Sequence, residues 1–286
     1  MREPFVGRAD ELAALNGRYA LAAGGRGQVV LIVGPPGIGK TALAGQFLAA
    51  LGQPGVWVSG DPDEAALTGG LLEQFAGQAA VPEAEALTSL LKSGPVDPLS
   101  AGAALLDLVT AISGASPLVI VLDDAGWGDE LSLRALSFTL RRLHDRAVCC
   151  LVLTGPDHLH RLPASLPRAA EYQGERLNLS GLRVTDIVDL ARLVGPAGLS
   201  ARAALRLRDH TSGVPLHIRE LLRDLPPEAL RDPGTTLPAP RSLELLVLSR
   251  LAGCAPARPD ISVHRGPDQR VREPAPPVAD RVGFGQ

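Results

Sequence analysis

One stretch constrains this chain more than any other: residues 29–44, VVLIVGPPGIGKTALA. Val29 to Val33 form an uninterrupted apolar run that reads as a buried strand. Gly34-Pro35-Pro36-Gly37-Ile38-Gly39-Lys40-Thr41 then turns into a helix expected from about Lys40 to Leu51. A G-x-x-x-x-G-K-[ST] spacing between strand and helix is a phosphate-binding P-loop in its required context. The residue types follow from the ligand chemistry. Backbone N–H groups can wrap a dense negative charge only where a Cβ would obstruct the chain, so glycines recur at 34, 37 and 39. The helix that follows adds its positive dipole end and unpaired N–H groups. Lys40 would reach the β- and γ-phosphates of a nucleotide, and the Thr41 hydroxyl would be a magnesium ligand beside phosphate oxygens and water.

Composition narrows the setting. A net charge of -3 gives no bulk attraction to nucleic acid. Lys40 and Lys92 are the only lysines among 28 basic residues, so a lysine retained inside the loop is the more telling. Three cysteines, two of them adjacent at 149 and 150 in an apolar run, make neither a disulfide framework nor a metal spacing. No apolar run approaches the length of a membrane span, and no basic-then-apolar leader opens the chain. These features predict a soluble, cytoplasmic product.

Taken in order, Phe5-Val6-Gly7-Arg8 precedes an amphipathic helix from Asp10 to about Ala23. Val56 to Val58 is a short strand, and Ala- and Leu-rich helices are expected at 63–78, 83–92 and 99–113. Leu118 to Leu122 is a second fully apolar strand, ending on Asp123-Asp124. Expected next to the P-loop strand, it would place Asp123 on the magnesium, through water, and Asp124 where it can orient or deprotonate an attacking water. A helix at 130–143, a third apolar strand at 148–153 and a fourth at 177–179 complete the alternation. Strands alternating with helices specify an α/β fold with a parallel sheet covered on both faces. Helices at 184–194, 200–211, 215–225 and 242–251 follow without strands. The expected organisation is therefore a nucleotide-binding α/β domain over 1–180, a helical lid over 181–252 and a disordered tail over 253–286, rich in Pro and Arg. The abrupt start of that tail inside a helical pattern suggests a truncated or frameshifted longer protein, or else a natural linker.

FVGRADEL, GPPGIGKT, LVIVLDDAGWGDELSLRAL and TSGVPLHIRELL occur in the order found in one family. Over roughly residues 4–250 the chain resembles the nucleotide-binding module of STAND-class signal-transduction ATPases, and within them the AAA-like module of large LuxR-type transcriptional regulators. That resemblance implies a P-loop NTPase fold and an ATP/ADP switch with magnesium. It implies Val6, Gly7 and Pro215 near the base, Gly34, Pro35, Pro36, Gly37, Ile38, Gly39, Lys40, Thr41 and Ala42 around the phosphates, Asp123 on the metal and Asp124 toward water. A protein partner or self-association would be in keeping with it.

Two departures qualify the expectation. The family usually presents an arginine to the γ-phosphate after the third strand, whereas Thr154 is followed here by Gly155 and Pro156. Losing such a cation leaves transition-state charge less stabilised, so hydrolysis is expected to be slow or absent. His158, His160 and Arg161 follow closely, either as a solvated loop or as a substitute. Relatives also continue into helical repeats and a helix-turn-helix, of which this chain shows no pattern, so direct DNA binding is not expected. The alternative function is an active oligomeric AAA-type ATPase, for which a neighbouring subunit would have to supply an arginine such as Arg141, Arg142 or Arg146.

Overall fold

A computed structural model describes residues 4–53, 55–114, 116–195, 198–231 and 235–253. The chain divides into two units, 1–245 and 246–286. The expected disordered tail, with Cys254, lies outside the described residues from position 254 onward.

Five parallel strands form the centre: β1 (Gln28–Val33), β2 (Val56–Ser59), β3 (Leu118–Asp123), β4 (Val148–Thr154) and β5 (Gly174–Asn178). They lie in the order β2-β3-β4-β1-β5. The expected adjacency of β3 to the P-loop strand is corrected here, because β4 lies between them and pairs with both. Sequence order says that strands belong to one sheet but not how they interleave.

Strict alternation along the strands separates two cores, because successive side chains point to opposite faces. Val30, Ile32, Val119, Val121, Cys149, Leu151 and Leu153 face one side, with Leu15 of α1 (Ala9–Ala23) and Leu43 and Phe47 of α2 (Lys40–Leu51). Val29, Leu31, Ile120, Leu122, Cys150 and Val152 face the other. Helices α3 (Gly70–Ala76), α4 (Pro82–Lys92), α5 (Pro98–Ile112), α6 (Glu130–Leu140) and α7 (Ser165–Gln173) cover that face. The result is a three-layer α/β fold.

A third core is all-helical. Ile187 and Leu190 of α8 (Val184–Val194), Ala204 and Leu207 of α9 (Ala201–Thr211), and Ile218 and Leu221 of α10 (Pro215–Asp224) pack together. Pro215 opens α10 at a position where its missing N–H costs nothing. Leu230 of α11 (Pro227–Arg231) closes the cluster, and α12 (Arg241–Gly253) follows.

Three local expectations are revised. The helix expected at 63–78 is shortened to α3, because Gly69 takes φ 89, outside any helix, and its amide donates to Asp129 Oδ1 at 2.8 Å. The helix at 130–143 stops at Leu140. The last strand falls at 174–178 rather than 177–179, and α7, which no apolar run marks, precedes it.

Candidate functional site

Strand β1 is buried along its whole length and delivers the chain to a loop at the sheet's carboxyl edge. Gly34 starts the loop, its amide donating to the Thr154 carbonyl at the end of β4 at 3.2 Å. Gly37 and Gly39 take φ 74 and 99, values that L side chains rarely adopt. Beyond Gly39, α2 begins at Lys40, so its first amides face the loop.

Lys40 is buried, and its Nζ donates to the carbonyls of Gly34 at 3.1 Å and Pro35 at 3.4 Å. Burial holds its pKa below the ordinary lysine value, and the nearby Asp124 and Asp123 charges oppose that shift. A buried ammonium held by loop carbonyls beside two carboxylates is a cation set against the place an anion would occupy.

The two aspartates occupy different environments although adjacent. Asp123 is buried. Burial pushes its carboxyl above the usual carboxylate range, and Asp124 pushes the same way, while a hydrogen bond with the Thr41 side chain is the main opposing effect. Asp123 Oδ1 also accepts the Asp124 amide at 3.0 Å. Asp124 is exposed and left-handed, at φ 43 and ψ 44, where non-glycine residues are uncommon. Backbone strain of this kind clusters at functional sites.

Among the described residues no group of three His, Cys, Asp or Glu side chains could hold a metal. Thr41 and Asp123 nevertheless join a hydroxyl to a buried carboxyl, two hard oxygen donors. That set fits magnesium, which keeps several waters and substrate oxygens in its shell and needs few protein ligands.

A cleft beside the loop is lined by Phe5, Val6, Ile38, Ala42, Leu190 and Pro215, among others. Val6, Ala42 and Pro215 thus line one cleft. Gly7 instead packs against the first turn of α8, where an added Cβ would lie 2.9 Å from Asp186 Cγ. The cleft measures about 70 Å³, against roughly 300–1,000 Å³ for typical ligand pockets. It is closed down by α10, whose Leu216 amide donates to the Gly37 carbonyl at 3.3 Å. A larger cleft of about 570 Å³ between α3 and α4 shares no lining residue with the phosphate loop.

Sequence reasoning missed three contributors. Arg8 is buried and left-handed at φ 65; its Nη2 donates to the Ile38 carbonyl at 3.0 Å and its Nη1 pairs with Glu11 at 2.9 Å. The sole signal was its place after Val6 and Gly7. Arg219 lines the cleft from α10, four residues after Pro215. Leu216 binds the loop through its backbone, which leaves no trace in residue identity. Conversely Asp129, part of the segment that carried the resemblance, is structural: it accepts from Gly69, Leu71 and Ser132 amides and so ties α6 to α3.

Residues 4–152 match the sequence profile of a family described as AAA ATPase domain. No curated protein matches. Among solved structures, the ORC2 protein of Aeropyrum pernix, described with ADPNP and ADP, is similar at TM-score 0.53 and 19% identity, covering 78% of this chain and 63% of that one. Cdc6p of Pyrobaculum aerophilum is similar at TM-score 0.53 and 16% identity, covering 78% and 62%. The ADP form of the Aeropyrum ORC2 protein reaches TM-score 0.50 at 17% identity, covering 88% and 70%. These likenesses establish the fold, which is that of P-loop NTPases. The chain spans somewhat less than two thirds of the first two structures' length.

Proposed function

The chain belongs to the AAA ATPase domain family, and from that premise we propose that it is a nucleotide-dependent signal-transduction switch: ATP with magnesium, or ADP, occupies the phosphate loop, and α8–α10 respond to which is bound. The observation that carries this reading is the hydrogen bond from Leu216 of α10 to Gly37 of the loop, at 3.3 Å, beside a cleft of about 70 Å³. Seating a base and ribose there requires α10 and the segment around Val6 to part. Filling the loop and moving the helices are then one event.

The chain's own residues supply the rest. Lys40 turns from the Gly34 and Pro35 carbonyls toward the β- and γ-phosphates. Thr41 and Asp123 would hold magnesium, which when bound would neutralise phosphate charge. Asp124, exposed just after β3, is placed to orient or deprotonate the attacking water. A ligand shifts an equilibrium only by its difference in affinity for the two states. The γ-phosphate must therefore make contacts in one arrangement of α10 that it does not make in the other.

Within the family, FVGRADEL, the Asp123-Asp124 segment and TSGVPLHIRELL support placement with the STAND-class ATPases and the modules of large LuxR-type regulators. An oligomeric motor remains the second reading. Of its three candidate arginines, Arg142 is folded back on Phe138, 3.4 Å above the ring and bonded to its carbonyl at 3.1 Å.

The test is binding of ATP and ADP with magnesium, together with phosphate release, for the parent, Lys40→Ala and Asp124→Asn. A switch gives tight binding, slow release and loss of affinity in Lys40→Ala. Equal affinity of parent and Lys40→Ala would overturn the site. Fast, concentration-dependent release would favour the motor.

A further inference from the structure

The residues after β4, which stand where the resemblance calls for an arginine, do not form a solvated loop as a whole. His158 lies across Gly126, in the turn that follows Asp124: a Cβ built on Gly126 would be 2.3 Å from His158 Cβ and 3.2 Å from Thr154 Oγ1. The His158 ring meets the edge of Trp127, centroids 4.5 Å apart at 62°. The Arg161 guanidinium sits over the same indole, 4.3 Å from its centroid. Edge-on packing of one ring on another and a cation over an indole are both attractive arrangements.

The turn is supported from the other side as well. Gly60, after β2, donates to the Asp123 carbonyl at 3.0 Å, and a Cβ on it would lie 2.6 Å from the Asp124 carbonyl. Asp124 therefore holds its left-handed conformation in a turn clamped between the ends of β2 and β4. The turn's own bonds, Trp127 amide to Asp124 carbonyl at 2.9 Å and Gly128 amide to Ala125 carbonyl at 3.0 Å, are too few to fix it alone.

We propose that His158 and Arg161, packed on Trp127, are positioning residues that fix the turn presenting Asp124, so that the hydrolytic step depends on them while nucleotide affinity does not. The inference rests on the reading of Asp124 as the group that orients water. His158 contributes shape rather than charge. Burial, and then the Arg161 charge, hold its pKa below the ordinary histidine value against the opposing Asp157 and Asp124 charges, which favours the uncharged ring. His160 is not one of the two side chains packed on the Trp127 ring and serves as the internal control.

Single-turnover phosphate release from ATP with magnesium and nucleotide affinity are measured on the full chain for the parent, His158→Ala, His158→Phe, Arg161→Ala, His160→Ala and Lys40→Ala, with circular dichroism to confirm folding. Misplacement of a catalytic group by about 1 Å can cost about a hundredfold, so His158→Ala should slow release roughly tenfold to a hundredfold and leave affinity within twofold. Arg161→Ala should slow it less, His158→Phe should recover most of the rate at every pH between 6 and 8, and His160→Ala should match the parent. Parental release by His158→Ala overturns the proposal. So does a Phe variant as slow as the Ala variant, or a parent that binds nucleotide and releases no phosphate. Undiminished affinity in Lys40→Ala would instead sink the nucleotide site itself, and this proposal with it.

Discussion

The backbone amide of Leu216 donates to the carbonyl of Gly37, 3.3 Å away, and the two side-chain positions press together so closely that a Cβ on Gly37 would stand 2.8 Å from Leu216 Cβ. The phosphate loop and the first turn of α10 are therefore joined by main chain at the one loop glycine whose empty side faces the helix.

Gly37→Ala tests that joint. The substitution forces an L side chain to φ 74, at about 1–2 kcal/mol, and drives a methyl group into Leu216. Thermal unfolding should shift down by several degrees. Protease cleavage around residues 180–183, where the chain passes from β5 to α8, should accelerate. An unchanged melting temperature with unchanged cleavage would mean that the contact is loose.

Asp123 should cost the nucleotide-free protein stability. Its folded pKa is raised by burial above the model-peptide value of 3.8, so between the two values the folded state binds more protons than the unfolded state. Stability is thus greatest at low pH with respect to this group and falls as pH rises through the folded value. Asp123→Asn removes the buried charge while keeping an acceptor for the Asp124 amide. The variant should melt a few degrees higher at pH 7 in the absence of magnesium, and the parent's stability should gain from magnesium plus nucleotide where the variant's does not. Differential scanning calorimetry at pH 5 and 7 checks the sign.

At Asp124 backbone strain and chemistry can be separated. Asp124→Gly relieves a left-handed conformation and should stabilise the fold by up to about 1 kcal/mol, while removing the carboxylate and abolishing phosphate release. Asp124→Asn should abolish release with little change in melting temperature, since asparagine tolerates the same conformation. A glycine variant that melts lower than the parent would show that the carboxylate makes a stabilising contact.

Asp129→Ala should harm stability rather than chemistry. One carboxylate caps α6 and accepts two amides from the start of α3. Its loss leaves buried donors unpaired, a cost of roughly 2–4 kcal/mol by cap and unsatisfied-donor magnitudes. Urea unfolding should show the loss, and nucleotide affinity of the folded fraction should remain within a few fold.

The sequence spoke most clearly where one residue type has a single use. Helix α2 begins at Lys40 and ends at Leu51 as expected, because the left-handed Gly39 and Gly52 bracket it. Strands β1, β3 and β4, buried on both faces, appeared as uninterrupted apolar runs. Strand β5 was misplaced because it is an edge strand of sequence GERLN, without buried positions to mark it. Residues 62–69 carry helix-forming alanines yet wind into turns, because a capping aspartate 60 positions away claims the Gly69 amide. The phosphate-loop residues were readable from their spacing, whereas Leu216 acts through its backbone. Arg8 needed the fold to bring it 30 positions along the chain to Ile38.

Cys149 and Cys150 follow one another on β4 and yet face opposite layers. Burial pushes the Cys149 thiol up to about 12 and that of Cys150 higher still. Since thiolates, not thiols, react with oxidants and alkylating agents, both sulfurs are chemically silent while the sheet holds. The folded domain is thus indifferent to oxidant at these positions. Modification of either cysteine marks a molecule whose central strand has already come out of the sheet, with the two layers on either side exposed as distinct chemical reporters.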